Sequence, residues 1–372
     1  MQRAHKIRMY PTREQEVQLR KTAGTARYAY NWALAEWKEM YRKVEEEGST
    51  ERPTAFGLCN RWTKERPEWA AETARCAQQQ AIINVGTAFK NLWKGHCSYP
   101  QFHKKGRKDS FYVQADKAWI KDKVVSLPKI GKVRLAEELR FSGKIMSYTV
   151  THYAGQWHVS VQVETPDDVR PACAANDSVV GVDAGLRHIA TASDGSVLDA
   201  PAALDRLDVH LKDTQRKLSR SQKGSSNRAK LLLRKQKIQN RINNIRQDAV
   251  HKFTNGLAKN HGTVVTETLD IQEMKSKASK GLRRCLQSSM MSELIRQLSY
   301  KAQRHVKVDR FFPSSKRCSH CGNVKDSLAL SERVYRCDVC GSVLDRDMNA
   351  ALNLMQAGAV SPGVPVESAG SR

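Results

Sequence analysis

The chain has 372 residues, enough for two or three modules that each bury a core. Its 63 Lys and Arg against 38 Asp and Glu leave a formal charge of +25 and a pI near 9.8, so it is drawn to a polyanion, nucleic acid first and an anionic membrane surface second. No run approaches the roughly 20 apolar residues that span a bilayer, and Met1 to Lys6 lack the apolar core of a secretory signal; a soluble, cytoplasmic protein without a membrane partner is expected.

In chain order, residues 6–10 read as a short strand. Pro11-Thr12 then opens a helix with Thr12 as N-cap and Gln15 at the capping-box position. Apolar residues recur at helical spacing through Ala26, Ala29, Trp32, Ala33 and Trp37, and a second helical region covers about 73–93, with breaks near Pro53 and Pro67. Trp32, Trp37, Trp62, Trp69 and Trp93 are expected in the core, since helical spacing favours packing over base stacking.

A basic loop, 102–108, precedes a change of period from 3.6 to 2. Residues 146–151 and 157–163 flank Ala154-Gly155-Gln156 as a hairpin, with Trp157, Val159, Val161 and Val163 on one face, and 166–177 reads as a linker. Residues 178–186 are a buried-strand pattern ending in an acid and a glycine, 187–192 the next antiparallel strand, and Asp194-Gly195 its turn. Between 214 and 247 there are 11 Lys and Arg and no acid, broken at Gly224-Ser225-Ser226, the signature of a basic helical hairpin. A strand at 263–267, a helix at 291–302, a strand at 306–308 and a helix from 347 follow. The Gly-, Pro- and Ser-rich tail from 358 is expected to be disordered.

Nine cysteines are present, and four of them cluster. Cys318-x2-Cys321, fifteen residues, and Cys337-x2-Cys340 form the pattern of a tetrahedral zinc ribbon, with Gly322 and Gly341 supplying the tight turn after each second cysteine. Four thiolates leave no open coordination position, so the zinc is structural. His320, inside the first knuckle, is a bystander or a phosphate contact. Cys59, Cys76, Cys97, Cys173 and Cys285 are expected as small buried hydrophobes in a reducing compartment.

Asp183 and Glu267 each end an otherwise apolar strand, where a carboxylate is costly unless paired or metal-bound. Phosphodiester hydrolysis by two metals needs such acids to converge. Taken singly, each could instead cap a turn or pair with an arginine, and Asp345 and Asp347 could simply favour the dipole of the following helix. Composition does not separate these readings.

Four stretches taken together resemble the motifs of TnpB, the transposon-encoded RNA-guided nucleases related to type V CRISPR effectors. They are Gly181-Val182-Asp183-Ala184-Gly185, Val264-Val265-Thr266-Glu267-Thr268-Leu269, Phe312-Pro313-Ser314-Ser315-Lys316-Arg317-Cys318 and Asp345-Arg346-Asp347-Met348-Asn349-Ala350-Ala351-Leu352-Asn353. The likeness covers nearly the whole chain except its tail. One departure is Thr268, where the family usually has aspartate after the glutamate.

The resemblance implies a multidomain α/β protein whose RuvC-like nuclease domain of RNase H fold (177–372) carries an inserted basic helical hairpin (203–260) and zinc ribbon (312–342). A helical recognition domain (23–100), a small β-barrel-like wedge domain (1–22 and 101–170) and a disordered tail (358–372) complete it. The catalytic, magnesium-binding acids map to Asp183, Glu267 and Asp347, with Mn²⁺ an alternative ion and Asp345 a helix cap. The expected activity is RNA-guided DNA cleavage by a protein of transposon origin, tied to transposition and DNA recombination. Its guide RNA derives from the transposon end, and target DNA makes it nucleoid-associated in a bacterial or archaeal host. Arg75, Gln79 and Gln114 are candidate readers of a short target-adjacent motif. Lys104, Lys105, Arg107, Arg216, Lys217, Arg220, Arg234 and Arg241 are candidate phosphate contacts. The rival expectations are a guide-bound repressor that does not cut, and a plain zinc-ribbon nucleic-acid-binding protein.

Overall fold

The computed structural model describes residues 2–48, 50–106, 109–166, 177–329 and 331–360. The chain divides into two units, Met1–Val169 and Arg170–Arg372. Cys173, Arg107 and the tail from 361 lie outside the described residues, as does most of the expected linker.

The first unit contains β1 (Gln2–Tyr10), α1 (Arg13–Glu46), α2 (Ala55–Glu65), α3 (Arg75–Trp93), β2 (Asp109–Gln114), β3 (Trp119–Lys121), β4 (Val124–Leu127), β5 (Gly131–Leu135), β6 (Lys144–Tyr153) and β7 (Gln156–Glu164). The capping box at the start of α1 is formed as expected: Thr12 Oγ1 accepts from Gln15 N at 3.3 Å and Gln15 Oε1 from Thr12 N at 3.0 Å. The strands make one antiparallel sheet in the order β2-β6-β7-β1-β5-β4-β3, in which no pairing of β2 with β3 closes the ladder among the described residues. One hydrophobic core joins this sheet to the helices, so the segments read as recognition (23–100) and wedge (1–22, 101–170) pack together.

Trp157, Val159, Val161 and Val163 all face that core. Trp37 and Trp62 do too, the indole of Trp62 donating to Gln78 Oε1 at 2.9 Å. Trp69 and Trp93 do not: they are 48% and 59% exposed, each covered on one side only, Trp69 by Tyr28 and Trp93 by Tyr41 and Phe89. Cys97 and Cys285 are likewise exposed, whereas Cys59 and Cys76 are buried.

The second unit contains β8 (Val179–Asp183), β9 (Ala190–Ala192), β10 (Val197–Leu198), α4 (Ala203–Arg220), α5 (Ser226–Asn260), β11 (Thr263–Glu267), α6 (Ile271–Lys277), α7 (Lys280–Ser288), α8 (Met291–Lys301), β12 (Arg304–Val308), β13 (Val334–Arg336), β14 (Val343–Asp345) and α9 (Arg346–Val360). Five strands form a mixed sheet in the order β10-β9-β8-β11-β12. β8, β11 and β12 are parallel, β9 is antiparallel to β8, and β10 is antiparallel to β9. One face carries Val180, Val182 and Val264 into a core with Val250 and Leu257 of α5 and Leu294 and Leu298 of α8.

The helix α9 covers the other face. Gly181 has no room for a side chain there, since a Cβ would come within 2.5 Å of Met355 N, and Gly358 abuts the Val265 side chain. Residues 358–360 are helical, held by that second contact, where a disordered tail was expected from 358. α4 and α5 form a hairpin whose turn is tied by Arg228, Nη1 donating to Leu218 O at 2.7 Å and Ser221 O at 3.0 Å.

Candidate active site

Parallel register sets Thr266 opposite Val182, so Asp183 and Glu267 lie one residue beyond this pair, at the ends of neighbouring strands. Such strands lie about 4.8 Å apart. Side chains alternate along a strand, and Gly181 and Val265 both face α9; two residues on, Asp183 and Glu267 therefore face α9 as well. Asp347 stands in the first turn of that helix. Asp345 acts as its cap, Oδ1 accepting from Asp347 N at 2.9 Å and Met348 N at 3.2 Å.

The acids feel one another. Burial, then the charges of Glu267 and Asp347, with Asp345 adding a little and Arg346 opposing, push the Asp183 carboxyl up from 3.8 to about 8. An acid so placed is stabilised by a cation, and carboxylate oxygens from β8, β11 and α9 suit a hard divalent ion such as Mg²⁺. Their oxygens are not drawn as tightly together as the thiolates described below: among the described residues, only the four cysteines have all their ligand atoms within 4.8 Å of one another.

Glu267 is held from behind. Ser314 Oγ donates to its Oε1 in a short hydrogen bond. Ser314 is buried, and its carbonyl accepts from Asn353 Nδ2 at 2.9 Å. Asn353 also donates to Arg317 O at 2.7 Å, as does Asn349 at 2.7 Å, while Asn349 Oδ1 accepts from Ser319 N at 2.9 Å. Ala350, Ala351 and Leu354 are fully buried, and the two asparagines clamp the segment that enters the first cysteine knuckle. Sequence reasoning quoted these residues within motifs but assigned them no role; the available signal was asparagine at i, i+4 on an apolar helix. Thr268, the departure from the family pattern, donates from Oγ1 to Val308 O at 2.8 Å and so secures β11 to β12.

The four thiolates meet at S···S distances of 3.7 Å (Cys318–Cys340) and 3.5 Å (Cys321–Cys337). A tetrahedron with Zn–S bonds of about 2.3 Å has edges of about 3.8 Å, so the residues fit zinc. Gly322 and Gly341 have φ of +80° and +72°, the left-handed turn each knuckle requires. His320 stands exposed outside the cluster.

The candidate nucleic-acid contacts are scattered. Lys104, Lys105, Arg216, Lys217, Arg220, Arg234 and Arg241 are all exposed, with Lys217 paired to Asp213 at 2.9 Å. In the first unit Arg75 is exposed and donates to Thr63 Oγ1 at 3.2 Å, Gln79 is half-buried, and Gln114 is exposed at the end of β2.

Three family profiles match. Residues 158–278 match one described as "Probable transposase", residues 292–354 "Cas12f1-like, TNB domain", and residues 1–46 "Helix-turn-helix domain", although β1 and the continuous helix α1 occupy that last stretch. The chain is 31% identical to the Escherichia coli (strain K12) protein named as RNA-guided DNA endonuclease InsQ, covering 95% of this chain and 92% of that one. It is 34% identical to a Streptomyces pristinaespiralis protein named as an RNA-guided DNA endonuclease, covering 96% and 90%. A cryo-EM structure of CasPhi-2 (Cas12j) bound to crRNA aligns over 98% of this chain and 99% of that one, with a TM-score of 0.48 and 10% identity. With two such relatives matched along almost their whole length, the chain belongs to the TnpB family of transposon-encoded proteins.

Proposed function

We propose that this protein is an RNA-guided, divalent-metal-dependent DNA endonuclease of transposon origin, acting on DNA in the cytoplasm of its host. The observation that carries this reading is the convergence of Asp183, Glu267 and Asp347 from β8, β11 and α9 on one end of the second unit's sheet, with Asp183 raised by burial and then by its acidic neighbours. The strand order 3-2-1-4-5 in chain sequence, with the second strand antiparallel, supports a RuvC-like domain of RNase H fold.

In this reading Asp183, Glu267 and Asp347 would hold Mg²⁺, which would supply an activated water and neutralise charge on the leaving oxygen. Ser314 orients Glu267, and Asp345 fixes the turn that presents Asp347. The zinc ribbon anchors the start of α9 through Asn349 and takes no part in the chemistry. The first unit, with Arg75, Gln79 and Gln114, reads a target-adjacent duplex, while the α4–α5 hairpin and the 102–108 loop hold guide-RNA phosphates. Among the described residues no helix is long and apolar enough to cross a membrane.

The test is cleavage of a matched target by the protein with its copurified RNA and Mg²⁺. Wild type is expected to cut and Asp183→Ala to bind without cutting. Equal behaviour of the two sinks the nuclease reading and leaves the guide-bound repressor.

A further inference from the structure

The loop between β12 and the first knuckle leaves one side chain with nothing to do in the fold. Phe311 is 85% exposed, the most exposed of the large hydrophobic side chains among the described residues. Every neighbour is tied down. Asp309 Oδ1 accepts from Phe311 N at 2.8 Å, Arg310 pairs with Glu273 of α6 at 2.7 Å, Phe312 is half-buried, and Ser314 is buried on Glu267.

Both ends of this loop are fixed to the same residue. Val308 is the register partner of Glu267, and Ser314 hydrogen-bonds its carboxylate. Phe311 is three residues from each, so its Cα lies within about 10 Å of both anchors. A second exposed apolar side chain, Leu186 at 47%, follows Asp183 by three residues. Asp183, Glu267 and Val308 end their parallel strands at one edge, and the crevice beyond the carboxyl ends of such strands is where open α/β sheets receive ligands. A turn anchored at both ends on Glu267 thus carries an exposed phenyl ring three residues from each anchor.

We propose that Phe311 is a substrate-contact residue whose ring stacks on an unpaired base of the DNA strand adjoining the phosphodiester held at Asp183, Glu267 and Asp347. The occupant is a single strand, because a base in a duplex has both faces covered. Stacking on a ring is indifferent to base identity, which suits an enzyme whose sequence choice is made by a guide. This inference rests on the nuclease reading.

The experiment combines cleavage with a readout that needs none. In kinetics with the RNA-bound protein, Phe311→Ala is expected to lower kcat/KM about tenfold, Phe311→Trp to retain activity, and Phe311→Leu to behave like alanine. Melting temperatures should not change, since the ring buries nothing. A scan of abasic nucleotides along the strand should find one position that reproduces the loss in wild type and adds nothing in Phe311→Ala. In Asp183→Ala protein, quenching of 2-aminopurine at that position should vanish when Phe311 is replaced by alanine. Wild-type kinetics in Phe311→Ala, activity in Phe311→Leu equal to that of Phe311→Trp, or a fall in melting temperature overturns the inference while the nuclease reading stands. An inert wild type with Phe311-dependent quenching overturns the nuclease reading and leaves the stacking contact.

Discussion

Gly181 and Ala351 touch backbone to backbone: a Cβ on Gly181 would collide with the carbonyl oxygen of Ala351. This contact lets α9 lie flat on β8, and it sets the depth at which Asp347, one helical turn before Ala351, meets Asp183, two residues after Gly181. Gly181→Ala should therefore act on fold and chemistry together. Overpacking of this kind costs about 1–3 kcal/mol or more, and cleavage should fall further than stability does because Asp347 is displaced. Gly256→Ala, where open space surrounds the added methyl, is the control and should be neutral or slightly stabilising in thermal melts.

Ser314→Ala removes the donor behind Glu267 without opening the core. Partners that orient a metal ligand are typically worth about 10–100-fold in activity or metal affinity. The expected outcome is a loss in that range, with higher Mg²⁺ needed for half-maximal cleavage and an unchanged melting temperature. An unaltered Mg²⁺ titration would remove Ser314 from the site.

The Asp183 carboxyl, raised to about 8 from 3.8, implies a specific pH dependence in protein that retains zinc but lacks Mg²⁺. Between these values the folded state binds more protons than the unfolded state, so this group's contribution is fully present below about pH 4 and is lost as pH rises through 8. Asp183→Asn should consequently be more stable than wild type at pH 8.5 and nearly equal at pH 4, by thermal melting in chelator-free buffer. Mg²⁺ should narrow the gap by stabilising wild type alone, and its binding near pH 7 should release protons, seen as a buffer-dependent heat.

Removing the metal expected at the four cysteines should abolish cleavage although these thiolates are not among the proposed catalytic ligands. Cys337→Ser loosens the knuckles, and the ribbon then no longer supplies the Arg317 and Ser319 backbone groups that hold Asn349 and Asn353 of α9. Metal analysis of wild type should find one zinc per chain, and excess Mg²⁺ should not rescue the variant.

Replacing Arg216, Arg220, Arg234 and Arg241 together by alanine tests the hairpin. Guide-RNA affinity should fall, and the slope of log affinity against log salt should flatten by about three if all four meet phosphates. An unchanged slope would return the hairpin to a solvated charged surface.

Local signals in the chain were readable where the cause is local. The Thr12–Gln15 capping box, the Val159, Val161 and Val163 alternation and the glycines after Cys321 and Cys340 follow from dihedral preference and periodicity, which operate over a few residues. Trp69 and Trp93 misled because helical spacing identifies a face but not whether anything covers it. Ser314 and the two asparagines of α9 were visible as letters without a role, since their partners lie at Glu267, Arg317 and Ser319, remote along the chain or across a turn.

The sequence by itself determined the clustered cysteines, the basic hairpin and two acids, Asp183 and Glu267, at the ends of apolar strands, because thiol spacing, charge and strand pattern are properties of short stretches; Asp347 was marked out only by the family resemblance. Only the tertiary structure decided that those acids come to neighbouring positions. Register between β8 and β11 sets Asp183 beside Glu267, and the missing side chain at Gly181 lets α9 bring Asp347 against them; the physical reason is close packing between segments more than 80 residues apart, which no local pattern encodes.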